Sequence, residues 1–231
     1  MTAVRILAVD TATEACSAAL WLHGSILLRE AEFERGHAER ILTMVDELLI
    51  EAALPLSSLD AIAFGRGPGS FTGVRLAASV TQGLAYGADL PVIGVSDLRA
   101  VAQRVLADDP GAAQVLVCND ARMQEVYWGC FQAGAERVAE VVGLEHVAKP
   151  AEVTLPEAWS GAVHGAGRGF AAYPELKAQF AGRLTSLYDR VLPRATEIAR
   201  LGVAEFLAGR AVAAQEAIPV YLRDKVARPQ T

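Results

Sequence analysis

The nonapeptide GRGPGSFTG (residues 65–73) is the most informative stretch of this sequence. An apolar run at residues 61–64 precedes it, and a proline-free stretch with helix-forming residues follows at 74–86. This order predicts a strand, a glycine-rich turn and a helix. The N–H groups that begin such a helix can hold an anion, or the glycines can serve only the close packing of a tight corner. The loop lacks the Gly-Lys-Ser/Thr ending of nucleotide P-loops, which favours the corner.

Strands and helices alternate on both sides of this corner. Before it, the pattern predicts strands at 4–9, 15–22 and 25–33 and a helix at 38–53. After it come a strand at 91–95 and a helix at 97–105, for which Ser96 is the predicted N-cap.

The first pattern then starts again beyond a linker-like segment at 107–111. A strand at 114–118 leads into Asn119-Asp120, and two hairpin strands follow at 125–132 and 137–144. This echo predicts duplication of one α/β unit. We place the first domain at 1–106, a smaller α/β domain at 112–192, and a C-terminal helix with a tail at 193–231. The helix, at 196–208, is expected to pack back on the first domain.

Composition and charge limit the classes of function. The chain is 52% hydrophobic and 21% charged, which is typical of a folded globular protein. Its net charge is −6, and the first 60 residues hold four basic and ten acidic side chains. Such an acidic segment does not attract nucleic acid by itself. No apolar run approaches the ~20 residues that span a bilayer, and the N-terminus does not resemble a signal peptide, so we expect a cytoplasmic protein without membrane contact.

Two helices carry more apolar surface than one core requires. The helix at 38–53 has an apolar arc of roughly 180°, whereas packing on a single core needs ~100°. The helix after the glycine corner is apolar around most of its circumference, and its small residues permit close helix approach. The alternative is that this second helix is simply central. We predict an interface with a partner, formed by Ile41, Met44, Val45, Leu48, Leu76, Val80, Gly83 and Leu84.

Several motifs together resemble one known family. The nonapeptide, Val9-Asp10-Thr11, the PVIGVS segment at 91–96, Asp120-Ala121-Arg122 and Tyr221-Leu222-Arg223 are similar to those of the TsaB (YeaZ) family. The resemblance spans nearly the whole chain and becomes looser after about residue 130. It implies an α/β fold of the duplicated actin-like (ASKHA, ribonuclease H-like) type with a shortened second domain. The short space between residues 145 and 192 agrees with that shortening.

The resemblance also implies partners. Members of this family belong to the bacterial machinery that adds threonylcarbamoyl to the adenosine beside the anticodon of tRNAs. Their first two long helices form a bundle with a second copy or with the catalytic subunit TsaD, and a TsaE-type ATPase acts on the assembled pair. This implies a non-catalytic scaffold that dimerises when alone. It also implies that ATP and metal bind mainly to the partners, and that tRNA contact is weak or indirect.

Each chemical site in the sequence is incomplete. Asp10 could contact a nucleotide-bound magnesium through water or cap its own turn, and Ala12 stands where actin-like ATPases have glycine, so the cap is favoured. Ser70 is explained as the N-cap of the following helix, and the GAGRG run at 165–169 as a plain turn. The residues of the candidate anion or nucleotide loop are Asp10, Thr11, Gly67, Gly69, Ser70 and Thr72.

No catalytic residue or metal site is expected. TsaD carries two histidines four residues apart on a helix. Here the first position is His37, but the position of the second histidine is occupied by Ile41, and one imidazole does not hold a catalytic metal. The alternative function is an ATP-dependent transferase or kinase-like enzyme of the same fold, which would use Asp10 and the glycine corner. A metallopeptidase is a third and more distant alternative.

Overall fold

Two five-stranded sheets form the framework of the molecule. A computed structural model describes residues 4–32 and 36–223, so residue 33 of the third predicted strand and the tail beyond residue 223 lie outside the described residues. The strands of the first sheet are β1 (Arg5–Asp10), β2 (Ala15–Leu22), β3 (Ser25–Glu32), β4 (Ala61–Gly65) and β5 (Val92–Val95). Those of the second sheet are β6 (Gln114–Asp120), β7 (Val126–Ala133), β8 (Ala139–Ala148), β9 (Val163–Ala166) and β10 (Leu184–Tyr188).

Both sheets have the same topology. The first has the strand order β3-β2-β1-β4-β5 and the second the order β10-β9-β6-β7-β8. The central strands β1 and β6 each pair antiparallel with the hairpin strand that follows and parallel with a later strand, β4 or β9. The sequence echo after residue 111 is therefore a duplication of one α/β unit.

The helices complete the layers between and outside the sheets. Their bounds are α1 (His37–Glu51), α2 (Phe71–Ala88), α3 (Asp97–Asp108), α4 (Gly169–Ala172), α5 (Pro174–Gln179) and α6 (Ala195–Leu207). Alternate residues of a strand face opposite sides of its sheet. In β1, Leu7 and Val9 face α1 and α2, while Ile6 and Ala8 face a central layer of α3 and α6. The order of layers is α1/α2, first sheet, α3/α6, second sheet, α4/α5.

The two central helices join the halves. The C-terminal helix α6 packs on β1, β2 and β4 of the first sheet, and α3 packs on β6, β7 and β8 of the second. The α6 glycine Gly202 permits the close approach, because a Cβ there would lie 2.8 Å from the Cβ of Ala63. Arg99 of α3 and Glu205 of α6 form an ion pair at 2.6 Å. Each half is thus covered in part by a helix from elsewhere in the chain.

The second half is shortened in its helices, and its sheet is complete. We predicted that the segment between residues 145 and 192 holds too few elements to repeat the first domain. For the strands this prediction is wrong, because β9 and β10 complete a five-stranded sheet like the first one. The run at 161–165 does predict a strand where β9 lies, but β10, with five residues next to turns, has an apolar pattern too brief to recognise. The helices α4 and α5 have four and six residues, whereas α2 has 18. Among the described helices, none has the length and apolar content that crossing a membrane requires.

Candidate functional site between the halves

The glycine corner is fastened to the β1–β2 turn by hydrogen bonds. Ser70 donates its N–H to the carbonyl of Ala12 at 2.7 Å, and its hydroxyl caps α2 by accepting the N–H of Gly73 at 3.1 Å. Thr11 donates its hydroxyl to the carbonyl of Gly73 at 2.7 Å. A Cβ at Gly73 would lie 1.9 Å from the Thr11 carbonyl oxygen, so only glycine fits there. These contacts are those of a tight packing corner.

Asp10 is buried at the end of β1 and caps the turn that follows. Its Oδ1 accepts the N–H of Ala12 at 2.9 Å, which is the turn-capping role that the sequence favoured. The side chain is fully buried, and this burial raises the pKa of Asp10 to about 6. His37 supports the same turn, because its Nε2 lies 2.9 Å from the carbonyl oxygen of Thr13.

Asp97 is a buried acid that the sequence did not single out. Ser96 caps α3 as predicted, and Asp97 is the first residue of that helix. An acid in a first helical turn is ordinarily solvated and favoured by the helix dipole. Here the side chain is completely buried, and its Oδ2 accepts the N–H of Gly67 at 2.5 Å. Burial, and next the charge of Asp10, hold the pKa of Asp97 well above its ordinary value.

A cleft of about 1240 Å³ opens between the two halves. Its walls are the β1–β2 turn, the start of α1, the glycine corner with the start of α2, the β6–β7 turn and residues 220–223. The walls carry the acidic side chains of Glu14, Glu32, Glu39 and Asp120, the basic side chains of Arg122 and Arg223, and the imidazole of His37. Both arginines are paired, Arg122 with Asp120 at 3.0 Å and Arg223 with Glu125. The cleft therefore presents net negative charge to a ligand.

Residues 220–223 cross from one half to the other along this cleft. Val220 donates its N–H to the carbonyl of Arg66 at 2.7 Å, and the Tyr221 hydroxyl accepts a bond from Arg75 of α2 at 2.7 Å. Arg223 continues to the β6–β7 turn, where it pairs with Glu125 and donates to the carbonyl of Ala121. A second link between the halves is Arg168, from the predicted GAGRG turn, which pairs with Glu14.

Several backbone donors of this corner are used within the protein. The N–H groups of Ala12, Ser70 and Gly73 are donated to protein oxygens, and the carboxylates on the walls disfavour a polyphosphate. Gly67 donates to Asp97, and a Cβ at Gly69 would meet the carbonyl of Ala12. Within residues 4–32 and 36–223, no group of three or more His, Cys, Asp or Glu side chains is arranged to hold a metal ion.

Half of the predicted interface set is buried inside the protein. Ile41, Met44, Val45 and Leu48 of α1 are at most 3% exposed and pack on the first sheet, so including them was wrong. Exposing such side chains costs about 1.5–3 kcal/mol each, and the first sheet covers the part of the wide arc that these four residues form. Of the α2 members, Leu76, Val80 and Leu84 are partly buried, and Gly83 is exposed with open space around it.

Other apolar side chains on the same two helices are exposed. Leu42 and Ile50 of α1 are 48% and 79% exposed, and Tyr86 of α2 is 84% exposed. The two helices contact each other on the same side of the first sheet. We define their outer face by Leu42, Ile50, Leu76, Gly83 and Tyr86. The sequence did not assign Leu42, Ile50 or Tyr86 to an interface, because side-chain spacing alone does not show which edge of a wide apolar arc the sheet covers.

Known proteins resemble the chain over nearly its whole length. The family model described as TsaD, a tRNA N6-adenosine threonylcarbamoyltransferase, matches residues 31–231. The tRNA threonylcarbamoyladenosine biosynthesis protein TsaB of Escherichia coli is 42% identical over 228 residues, which cover 97% of this chain and 96% of the relative. The TsaB protein of Haemophilus influenzae is 40% identical over 230 residues, which cover 96% of this chain and 94% of the relative.

The fold has a close counterpart among solved structures. The structure of YeaZ from Pseudomonas aeruginosa matches with a TM-score of 0.85 at 42% identity, over 95% of this chain and 100% of that one. Two mixed sheets of one topology, joined by central helices, are the duplicated actin-like fold that the motifs implied. With this fold, and with relatives of about 40% identity over nearly full length, the chain belongs to the TsaB (YeaZ) family.

Proposed function

We propose that this protein acts in tRNA threonylcarbamoyladenosine biosynthesis as a non-catalytic scaffold that binds and activates the TsaD transferase. The relatives named above carry that pathway in their names. The observation that carries the scaffold role is the outer face of α1 and α2, which exposes Leu42, Ile50 and Tyr86 on two adjoining helices. Apolar side chains grouped in this way favour a protein partner.

The shape of α2 suits helix-to-helix contact. Leu76, Val80, Gly83 and Gly87 recur at helical spacing along one side, and a Cβ added at either glycine would meet nothing within 4 Å. Small residues let a second helix approach closely, while the neighbouring apolar side chains supply buried area. When alone, the chain would use this face for a second copy of itself, and TsaD would replace that copy.

The cleft supports a non-catalytic role. The N–H groups of Ala12, Ser70 and Gly73 are donated within the protein and the walls are net acidic, so we assign ATP and metal chiefly to TsaD and to a TsaE-type ATPase acting on the assembled pair. The net charge of −6 also favours tRNA contact that is weak or made through the partner. The proposed site of action is the cytoplasm.

The test is light scattering on a sizing column, with the chain alone and then mixed with TsaD from the same organism. We expect a self-dimer that is replaced by a one-to-one complex. Gly83→Arg should fold normally, because its side chain enters open space, and should weaken both associations at least ~10-fold through an unpaired charge at the contact. Transfer of threonylcarbamoyl to tRNA by TsaD should fall in parallel.

Ala178→Arg is the matched control, since Ala178 is an exposed helical residue of the second half. It should leave both associations unchanged. A chain that stays monomeric and ignores TsaD would overturn the proposal. Stoichiometric ATP binding by the isolated chain would favour the kinase-like alternative instead.

A further inference from the structure

Two completely buried carboxyl groups meet beneath the glycine corner. Asp10 ends the central strand of the first sheet, and Asp97 begins α3, the helix that packs on the second sheet. Gly65 lies beside both, because a Cβ there would be 2.6 Å from Oδ1 of Asp10 and 2.6 Å from Oδ1 of Asp97. The carboxyl groups of Asp10 and Asp97 therefore lie against the same side of Gly65.

The available donors satisfy only half of this pair. Asp10 Oδ1 accepts the N–H of Ala12, and Asp97 Oδ2 accepts the N–H of Gly67. The other two oxygens, Asp10 Oδ2 and Asp97 Oδ1, are buried and find no donor among the described residues. Ionised carboxylates only accept hydrogen bonds, and two adjacent buried charges repel strongly. A proton carried by one carboxyl and donated to the other removes both problems.

We propose that Asp10 and Asp97 share one proton at neutral pH, and that losing it loosens the junction where α3 leaves the first half for the second. The junction includes Ser96, whose hydroxyl bonds to Glu145 of β8, and Arg99, which donates to the carbonyl of Ala139. Charging the pair therefore acts at the point where the two sheets are joined through α3.

The charges around the pair favour retention of the proton. Glu145 of β8 is an acid close to Asp97 and adds negative potential to it. On the opposing side, His37 of α1 lowers the pKa of Asp10 when it is charged, and burial raises the pKa of Glu145 while Arg66 and Arg99 act to lower it. The Cys16 thiol of β2 also lies near Asp10, and burial, with the Asp10 charge next, raises its pKa to about 11, so it stays neutral.

The sign of the effect follows from proton binding. Burial raises the pKa of Asp10 to about 6 and that of Asp97 well above its ordinary value, so the folded state holds more protons than the unfolded chain above pH ~4. The resulting stability is fully present below that pH and is lost as pH rises through about 6 and beyond. Asp97→Asn imitates the protonated acid, since its amide oxygen can accept from Gly67 while its nitrogen donates to Asp10.

The experiment measures the urea midpoint of unfolding from pH 5 to pH 8 at constant protein concentration. We expect the wild-type midpoint to fall across this range and that of Asp97→Asn to fall less steeply, because Glu145 and Glu197, whose pKa values burial also raises, are present in both proteins. Glu157→Gln, which changes an exposed carboxylate in the second half, should keep the wild-type slope. Equal slopes in wild type and Asp97→Asn would overturn the proposal.

Infrared spectroscopy of the wild type provides a second readout that does not require a variant to be stable. The proton shared by the pair predicts a protonated-carboxyl band at pH 7 that disappears as pH rises. That band should be missing from the spectrum of Asp97→Asn or, if that variant does not fold, of Asp10→Asn. Absence of a titrating carboxyl band in the wild type at pH 7 would overturn the proposal whatever the variants do.

Discussion

The two halves of the molecule have one sheet topology and very different helices. In each, a central strand lies between an antiparallel hairpin and two parallel strands. The first half covers the outer side of its sheet with α1 and α2, of 15 and 18 residues. The second half has α4 and α5, of four and six residues, and a 3₁₀ turn at Pro150–Glu152 after its hairpin where α1 follows the first.

This difference shows which parts of a duplicated unit are constrained. The strands depend on each other for backbone hydrogen bonds, so losing one would leave edge groups unpaired through the sheet. The outer helices only cover an apolar face, and shorter elements such as α4 and α5 can do this with Phe170 and Leu176. The long helices of the first half exceed that need, and their surplus is the outer face that we assign to a partner.

The largest change in stability is expected from alanine substitutions at the glycine corners that lead into α2 and α4. Gly73→Ala would place a Cβ 1.9 Å from the Thr11 carbonyl, and we expect it to lower the free energy of unfolding by about 4 kcal/mol or more. In Gly169→Ala, at the start of α4, the new Cβ would lie 2.6 Å from the Cys118 carbonyl oxygen, a less severe overlap than 1.9 Å, and the variant should lose about 2 kcal/mol of stability. Urea unfolding of both variants measures the difference. Equal losses would mean that the two corners are equally rigid.

A smaller effect separates the two sides of α1, the helix without a counterpart. Leu48→Ala empties a fully buried site and should cost about 3 kcal/mol of stability. Ile50→Ala, two residues away and 79% exposed, should change stability by less than about 0.5 kcal/mol while weakening association with TsaD. Urea unfolding and light scattering measure the two properties. If Ile50→Ala leaves association intact, the outer face does not reach that end of α1.

The smallest effect tests the link between α3 and α6. Burial raises the pKa of Glu205, but hydrogen bonds from Arg210 and Arg99 outweigh it and lower the pKa to about 2. Because the pKa of Glu205 is lower in the folded protein than in the unfolded chain, where it is about 4.5, the ion pair stabilises the fold above pH 4.5. This stability is lost as pH falls through about 2. Glu205→Gln should therefore cost about 1–2 kcal/mol at pH 7 and flatten the acid side of the stability curve.

The control for this link is an exposed ion pair in the first half. Glu47 pairs with Arg29 at 3.0 Å on the surface, so Glu47→Gln should cost no more than about 0.5 kcal/mol and keep the acid slope. Similar losses for both variants would indicate that the Glu205 pair is no stronger than a surface contact.

Local patterns predicted most of the first half and the plan of the second. Apolar periodicity predicted the strands β1 to β8 and the helices α1, α2, α3 and α6, and the capping residues Ser70 and Ser96 marked two helix starts. Short elements such as β10 and α5 were not predicted, because five or six residues are too few to show a clear apolar period. The four α1 residues of the predicted interface are buried inside the protein. An apolar arc shows how much of a helix is buried, but not whether its own sheet or a partner protein covers it.

The sequence alone determined the repeated strand pattern, the glycine corner and the lack of a complete metal or P-loop motif, because these depend on neighbouring residues and their spacing. The tertiary structure decided that α3 packs on the second sheet, which face of α1 remains outside, and that Asp10 and Asp97, 87 positions apart, share one buried space. Such pairings form only when distant segments pack together, and the burial that alters both acids belongs to the folded chain and not to either residue.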